Sequence, residues 1–424
     1  MRSGSVKAKQ VYATLKFDDD KLQILVAEYF NTRFNIIGTY SADIEGIADY
    51  KIIDEAKLIE EIRTGIDAVS VKIGARLEKA VVIIPPFNFK RISLKVSVVT
   101  EDGRIRKSDV ARAITNSLKT NVGNDLVVIN TLISKYTING ISSRRFNEFE
   151  VCDDALIDID LLCADKEMTY SYVRAVSEAG LEVLDLTLNN YAICKESVLL
   201  DNSINRNIIL LDIGRNITYL TLLSKGRLIS SEIIYDGLGN LCNEVYNAYH
   251  LPRGIIPRLV KYSVDFDSPH PGDAVFAWNS EDKPESITVK ELSDLIEKPL
   301  NDFLDKIMVM CKPIIEEGAD LWICGEGSSM EALVKRLREA SGCEVKAYYP
   351  DTIGARDTEL CAVYGALYVY KEKANMNSLN VNCVDMIRYE KIVDQIEEDV
   401  EGESITSKIK SLFEIYRDRD KEDI

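Results

Sequence analysis

Long apolar runs are missing from this 424-residue chain. No stretch of about 18 apolar residues occurs, so no membrane-spanning helix is expected. The opening MRSGSVKAKQ is basic but is followed by no apolar segment of the secretory kind, and export is not expected either. Cysteine pairing signals are missing too: the nine cysteines are odd in number, none forms a CxxC, and there are two histidines. A disulfide framework and a zinc site of ordinary spacing are thereby excluded, and reduced thiols in a cytosol are the expectation. Positive charge is in deficit. With 52 Lys and Arg against 69 Asp and Glu, the net charge is −17, which opposes binding along a nucleic-acid backbone, so no nucleic-acid partner is expected.

What is present is periodicity, and it changes along the chain. Residues 11–17, 22–29 and 33–41 read as a β-meander with Asp18-Asp19-Asp20 at its first turn. Asp54 is placed to cap a helix from Glu55 to about Gly74, on which Leu58, Ile59, Ile62, Ile66, Val69 and Ile73 recur at helical spacing. Residues 79–84 form a continuous apolar strand stopped by Pro85-Pro86. Residues 87–178 read as a small inserted α+β unit, with strands at 91–100, 126–130, 135–138 and 155–164 and helices at 108–118 and 169–179. A strand at 180–187 and a helix at 190–199 follow. Residues 205–235, NRNIILLDIGRNITYLTLLSKGRLISSEIIY, hold three apolar runs split by short polar turns: three strands joined by tight hairpins, with Asp212-Ile213-Gly214 at the first tip.

Beyond it the pattern gives a helix at 241–249 and a proline-rich stretch, 253–284, that is mostly loop with one short helix at 258–262. Residues 288–317 are helical, with Pro299 and Pro313 as starts or kinks. A buried strand at 320–324 ends in Gly325-Glu326-Gly327-Ser328, a strand at 344–348 follows, and a helix at 360–371 closes the body. The acidic, Asn-rich remainder reads as a flexible linker. After it, Ile405, Ile409, Leu412, Phe413 and Tyr416 fall on one narrow helical face.

Taken together, these residues resemble FtsA, the actin-like protein of bacterial cell division. LLDIGRNITYL at 210–220 is similar to that family's second phosphate loop and LWICGEGSSMEAL at 321–333 to its adenosine loop. GRIRKSDVARAI at 103–114 and EAGLEVLDL at 178–186 resemble the start and exit of its inserted subdomain 1C. The resemblance implies an α/β fold of two actin-like, ribonuclease H-like lobes around a nucleotide cleft, with an inserted α+β 1C subdomain of SHS2 type and a C-terminal linker plus amphipathic helix. It puts subdomain 1A at 8–86 and 179–204, 1C at 87–178, 2A at 205–245 and 313–371, 2B at 246–312, the linker at 372–403 and the amphipathic helix at 404–424.

In such a fold, glycine-rich hairpins offer backbone N–H groups to a polyphosphate, and a strand-end aspartate holds Mg²⁺ through water. The resemblance assigns nucleotide contacts to Lys21, Asp212, Gly214, Asn216, Gly239, Lys261, Gly325, Gly327 and Ser328, with ATP and Mg as cofactors and Asp212 as the water-mediated metal ligand. The chain departs from the family pattern at several of its loops. Arg215 and Asn216 stand where the pattern has small residues, and Lys16-Phe17-Asp18-Asp19-Asp20-Lys21 keeps only the lysine of the first loop. Glu326 replaces a glycine and is expected to point outward, Arg258 stands where a partner glutamate of Lys261 would be, and Leu300 stands where the FtsZ-contacting region commonly has arginine. By themselves the two aspartate-bearing hairpin tips also read as plain solvated turns. Three adjacent carboxylates would repel a triphosphate by on the order of several kcal/mol unless a cation intervenes. No His, Gln or Glu can be tied to a γ-phosphate, so no catalytic residue is assigned, and weak ATP binding or slow hydrolysis is the most that is expected.

The implied function is a cytoskeletal scaffold that tethers FtsZ polymers to the inner face of the cytoplasmic membrane, self-associates through 1C and 2B, and lies peripherally on the cytoplasmic side. Ile405, Ile409, Leu412, Phe413 and Tyr416 would insert into the bilayer. Charge over 403–417 is nearly balanced and 418–423 is rich in acid, so binding per copy would be weak and would depend on polymer avidity. Two rival readings share the superfold. One is a PilM-like envelope-assembly scaffold that binds a membrane-protein tail, and the other is an ATP-dependent kinase.

Overall fold

The computed structural model describes residues 9–391 except 19, 31, 49, 281–282, 351–356 and 378–380. The expected amphipathic helix at 404–424 lies outside the described residues, and so do residues 378–380 and 392–403 of the expected linker.

The chain opens with an antiparallel meander, β1 (Gln10–Phe17), β2 (Lys21–Phe30) and β3 (Arg33–Asp43). A small ribbon, β4 (Ile47–Ala48) with β5 (Lys51–Ile52), leads into α1 (Glu55–Ile73). That helix starts where Asp54 accepts the Lys57 N–H at 3.0 Å and ends at Gly74 in the left-handed conformation, φ 70°. It buries Leu58, Ile62, Ile66, Val69 and Ile73, the face the periodicity marks out. β6 (Lys79–Ile84) then runs parallel to β1.

The inserted unit is a sheet in the order β7-β10-β8-β9, built from β7 (Lys90–Val99), β8 (Leu126–Ile138), β9 (Ile141–Ser143) and β10 (Asp154–Asp165), with α2 (Lys107–Ser117) against it. The two short strands expected at 126–130 and 135–138 are one 13-residue strand, because β10 pairs with it from end to end through two register shifts. α3 (Lys166–Glu178), expected within the insertion, sends Tyr172 into the first lobe, where its ring lies 5.0 Å from that of Phe17. β11 (Glu182–Leu188) joins β6 in parallel, and α4 (Asn189–Glu196) is followed by a turn at Val198 and the short α5 (Leu199–Asn202).

The second lobe repeats the plan of the first. β12 (Ile208–Ile213), β13 (Thr218–Ser224) and β14 (Arg227–Ile234) form the three-strand meander expected from the apolar runs. Next come α6 (Leu238–Tyr249), α7 (Ile256–Ser263), the hairpin β15 (Ala274–Ser280) with β16 (Lys283–Thr288), and α8 (Val289–Glu316). β17 (Asp320–Gly325), α9 (Glu331–Ser341), β18 (Val345–Ala347) and α10 (Cys361–Asn377) complete the body. The sheet orders β3-β2-β1-β6-β11 and β14-β13-β12-β17-β18 are the same path, an antiparallel meander extended by two parallel strands. The core under the first sheet also takes in Ile208, Leu210, Leu223, Leu228 and Cys324 from one face of the second sheet, whose other face has a core of its own.

Other expectations are refined or corrected. The stretch 253–284 is not mostly loop: β15 and β16 pair within it, and Pro284 sits on a two-stranded ribbon, where a missing N–H costs little. Pro299 and Pro313 lie inside one continuous 28-residue helix, opened by a capping box between Thr288 and Glu291. The unit expected at 313–371 is divided, because α10 leaves the second lobe and packs on α4 and β1 in the first core. Part of the expected linker is also packed: Val11 N–H donates to Asn382 Oδ1 at 2.9 Å, Cys383 is buried, and the Tyr389 hydroxyl donates to Glu28 at 2.9 Å.

Candidate nucleotide cleft

The loops between the lobes converge on one cleft. From the first lobe come the β1–β2 turn, with Asp18, Asp20 and Lys21, and from the second the β12–β13 tip, with Asp212, Gly214 and Arg215, and the turn after β17. The segment before α10 adds Glu359. The structure therefore brings together Lys21, Asp212, Gly214, Asn216 and Gly325, as the resemblance expects, with Lys261 reaching the same charges from α7.

What fills the cleft is its own charge. Lys21 Nζ lies 2.6 Å from Glu359 and 4.0 Å from Glu326, and Lys261 Nζ lies 3.1 Å from Glu359 and 3.0 Å from Glu326. Two ammoniums and two carboxylates thus form a closed ring, all four side chains no more than 17% exposed. Burial alone would lower the two lysines, but the carboxylates outweigh it and both are raised, Lys21 chiefly by Glu359 and Lys261 chiefly by Glu326. Burial would raise the Glu359 carboxyl, yet Lys21 and Lys261 hold it down at about 2.

Beside the ring, Arg215 of the second lobe pairs with Asp20 of the first, so the two expected phosphate loops are joined directly. Lys16 lies 2.8 Å from Asp18. Burial would lower Lys16, but Asp18 and then Asp212 raise it, whereas burial pushes the Asp18 carboxyl up with Lys16 offsetting only part. Asp18 and Asp20 each have a cation, the condition under which the expected repulsion is relieved. Asp19 lies outside the described residues. The expectation for Glu326 is corrected: it points inward to Lys261, the partner that Arg258 cannot supply.

The backbone groups that would cradle phosphate are committed as well. Gly214 N–H donates to Ile217 O at 3.0 Å. At the start of α6, Leu238 N–H and Gly239 N–H donate to Gly214 O and Arg215 O at 3.1 and 2.7 Å, so the hairpin caps the helix end that would otherwise face an anion. A Cβ on Gly239 would lie 2.8 Å from Arg215 O, so this close approach serves the protein's own chain. Gly325 adopts φ 71° and has Asp212 where a Cβ would sit. Gly327 packs on Ile213, and the Ser328 hydroxyl donates to Gly325 O at 2.9 Å.

Asp212 ends β12 as the strand reading requires, but its carboxylate is buried and accepts from Asn189 Nδ2 at 2.6 Å and from the Cys324 thiol at 3.5 Å. Among the described residues no three His, Cys, Asp or Glu side chains are arranged to hold a metal. Where the two loops meet, the free volume is about 30 Å³, room for a water or two, and a pocket of about 280 Å³ lined by Asp20, Arg215, Asn216, Gly239 and Cys242 adjoins it. As paired here, the two phosphate loops leave no room between them for a triphosphate with Mg. Asp20, Arg215, Glu326 and Glu359, which close the cleft, carry no local sequence signal that marks them as a set.

No protein-family model matches the chain. Over 431 residues it is 20% identical to the cell division protein FtsA of Enterococcus faecalis (strain ATCC 700802 / V583), covering 95% of this chain and 98% of that protein. Over 373 residues it is 20% identical to FtsA of Bacillus subtilis (strain 168), covering 84% and 83%. Its fold is similar to that of a solved PilM-PilN type IV pilus biogenesis complex, with a TM-score of 0.54 and 13% identity over 84% of this chain and 98% of that one. It is also similar to MreB5 of Spiroplasma citri bound to AMPPNP, with a TM-score of 0.51 and 11% identity over 87% and 99%. Along most of its length the chain is similar in sequence to FtsA proteins, and its two-lobed fold is similar to those of the PilM complex and of MreB5.

Proposed function

We propose that this chain is an actin-like scaffold of bacterial cell division that tethers FtsZ polymers to the cytoplasmic face of the membrane, with lobes held together by its own ion pairs rather than by a bound nucleotide. The observation that carries the reading is the match to FtsA, which spans 95% of this chain and 98% of the relative. The ion pairs that fill the cleft favour a scaffold over a kinase, since a kinase must admit and release its nucleotide on every turnover. In this reading the chain self-associates through the inserted unit and the 246–312 region, and its C-terminal residues add the membrane contact.

Co-sedimentation with GTP-assembled FtsZ from the same organism tests the partner. The chain is expected to pellet with the polymers and to stay in the supernatant without them. Failure to pellet, together with capture of an envelope protein's cytoplasmic tail, would favour the PilM-like rival instead. The membrane contact is tested by flotation with anionic liposomes: the full chain is expected to float and a form lacking residues 404–424 to remain at the bottom. Equal flotation of the two forms would rule out that tether.

A further inference from the structure

Away from the cleft, the inserted sheet meets the second lobe at a seam that encloses a pocket of about 670 Å³. Five cations line it: Arg91 from β7, Lys135 from β8, Arg144 after β9, and Lys225 and Arg227 from the β13–β14 turn. The carboxylates at hand are Asp158, Glu317 and the fully buried Asp160. Positive charge is therefore in excess here, in a chain whose net charge is −17.

The charges are built in, with some spoken for and others left over. Asp160 anchors two arginines, Arg227 Nε at 3.3 Å and Arg91 at 3.8 Å, and accepts from the Ser93 hydroxyl at 2.6 Å. Lys135 lies 3.3 Å from Asp158 Oδ2. Arg144 and Lys225 have no carboxylate partner among the described residues. The Arg144 guanidinium instead donates to the Lys225 carbonyl and lies over Gly226, where a Cβ would displace it. The hairpin turn thus positions Arg144 at the mouth, beside the hydroxyls of Ser142, Ser143 and Ser224. Asp158 Oδ1 is buried and meets no donor among the described residues, so it lies behind the pocket lining and not in it.

We infer that this seam is a binding site for a small phosphorylated compound, its phosphate held by Arg144, Lys225 and Arg227. Planar guanidiniums and a lysine together match a phosphate's oxygens better than they match a single carboxylate. The volume suits a compound of metabolite size. No aromatic ring lines the pocket, so nothing there would stack a nucleobase, and a sugar phosphate or an inorganic polyphosphate fits better than a nucleotide. Because its walls come from the insertion and the second lobe, an occupant would bridge the two.

Isothermal titration of the full chain at low salt with glucose 6-phosphate, and separately with sodium pyrophosphate, tests the assignment and separates an ester from an inorganic source. Saturable binding of at least one is expected. It should weaken roughly tenfold or more in the Arg144→Gln, Lys225→Gln double variant and persist in Arg215→Gln, which perturbs the nucleotide cleft instead. Both seam residues are exposed and outside any carboxylate pair, so a native far-UV spectrum is expected of the double variant. Absence of saturable binding by either probe, or binding that survives the double substitution or is lost in Arg215→Gln, would overturn the assignment.

Discussion

Replacing Glu359 by alanine is expected to cost about 3 kcal/mol of unfolding free energy, toward the low end for removing one partner of a buried pair. The figure is held down because Lys21 and Lys261 keep some contact with solvent, at 17% and 14% side-chain exposure. In the variant both ammoniums are left to share Glu326, which is 4.0 Å from one and 3.0 Å from the other. The pH dependence has a definite sign. Glu359 is held at about 2 against an ordinary 4.5, so its contribution is present in full above about pH 4.5 and is lost as pH falls toward 2. Urea unfolding curves for wild type and variant should therefore lie farthest apart near neutral pH and converge on acidification. Asp18 acts in the opposite direction, since burial raises its carboxyl and acidification relieves that cost. A neutral-pH difference below about 1 kcal/mol, the range of a surface pair, would show that the ring is solvated.

Gly365→Val is expected to have an effect of the same size or larger for a different reason. Gly365 lies in α10, and the carbonyl of Ala192 in α4 occupies the place a Cβ would take. The helix cannot move away freely, because its other side packs on β1, where the Thr14 hydroxyl donates to the Val363 carbonyl at 2.9 Å. Valine must therefore force apart two backbones rather than rotate a side chain, and a loss of about 3 kcal/mol or more is expected. Gly365→Ala isolates the effect: helix propensity alone predicts a gain of about 1 kcal/mol, whereas the contact predicts a net loss. Chemical denaturation in which either variant matched or exceeded wild type would refute the packing of α10 into the first core.

These two sites also mark what can be read from a sequence. α1 was legible because its cap, apolar face and terminal glycine are neighbours along the chain, and the β12–β14 meander because short polar turns split its apolar runs. Lys21 and Glu359 stand 338 positions apart, and Lys261 and Glu359 stand 98 apart. No local pattern relates them. Asp18 and Asp20 look like a repulsive cluster until the fold supplies Lys16 and Arg215. Glu326 looks like an outward substitution for glycine until Lys261 arrives from α7. The residues that resemble phosphate loops thus fold into the expected hairpins, while the substitutions among them decide what the hairpins hold.

The central claim, that the cleft is occupied by the protein's own ion pairs, is tested most directly by isothermal titration of Mg·ATP into the full chain. No saturable heat is expected up to about 1 mM, and no rise in unfolding free energy at that concentration. A dissociation constant near 10 μM would contradict the claim, and would also show as roughly 2.7 kcal/mol of added stability at a hundredfold excess over that constant.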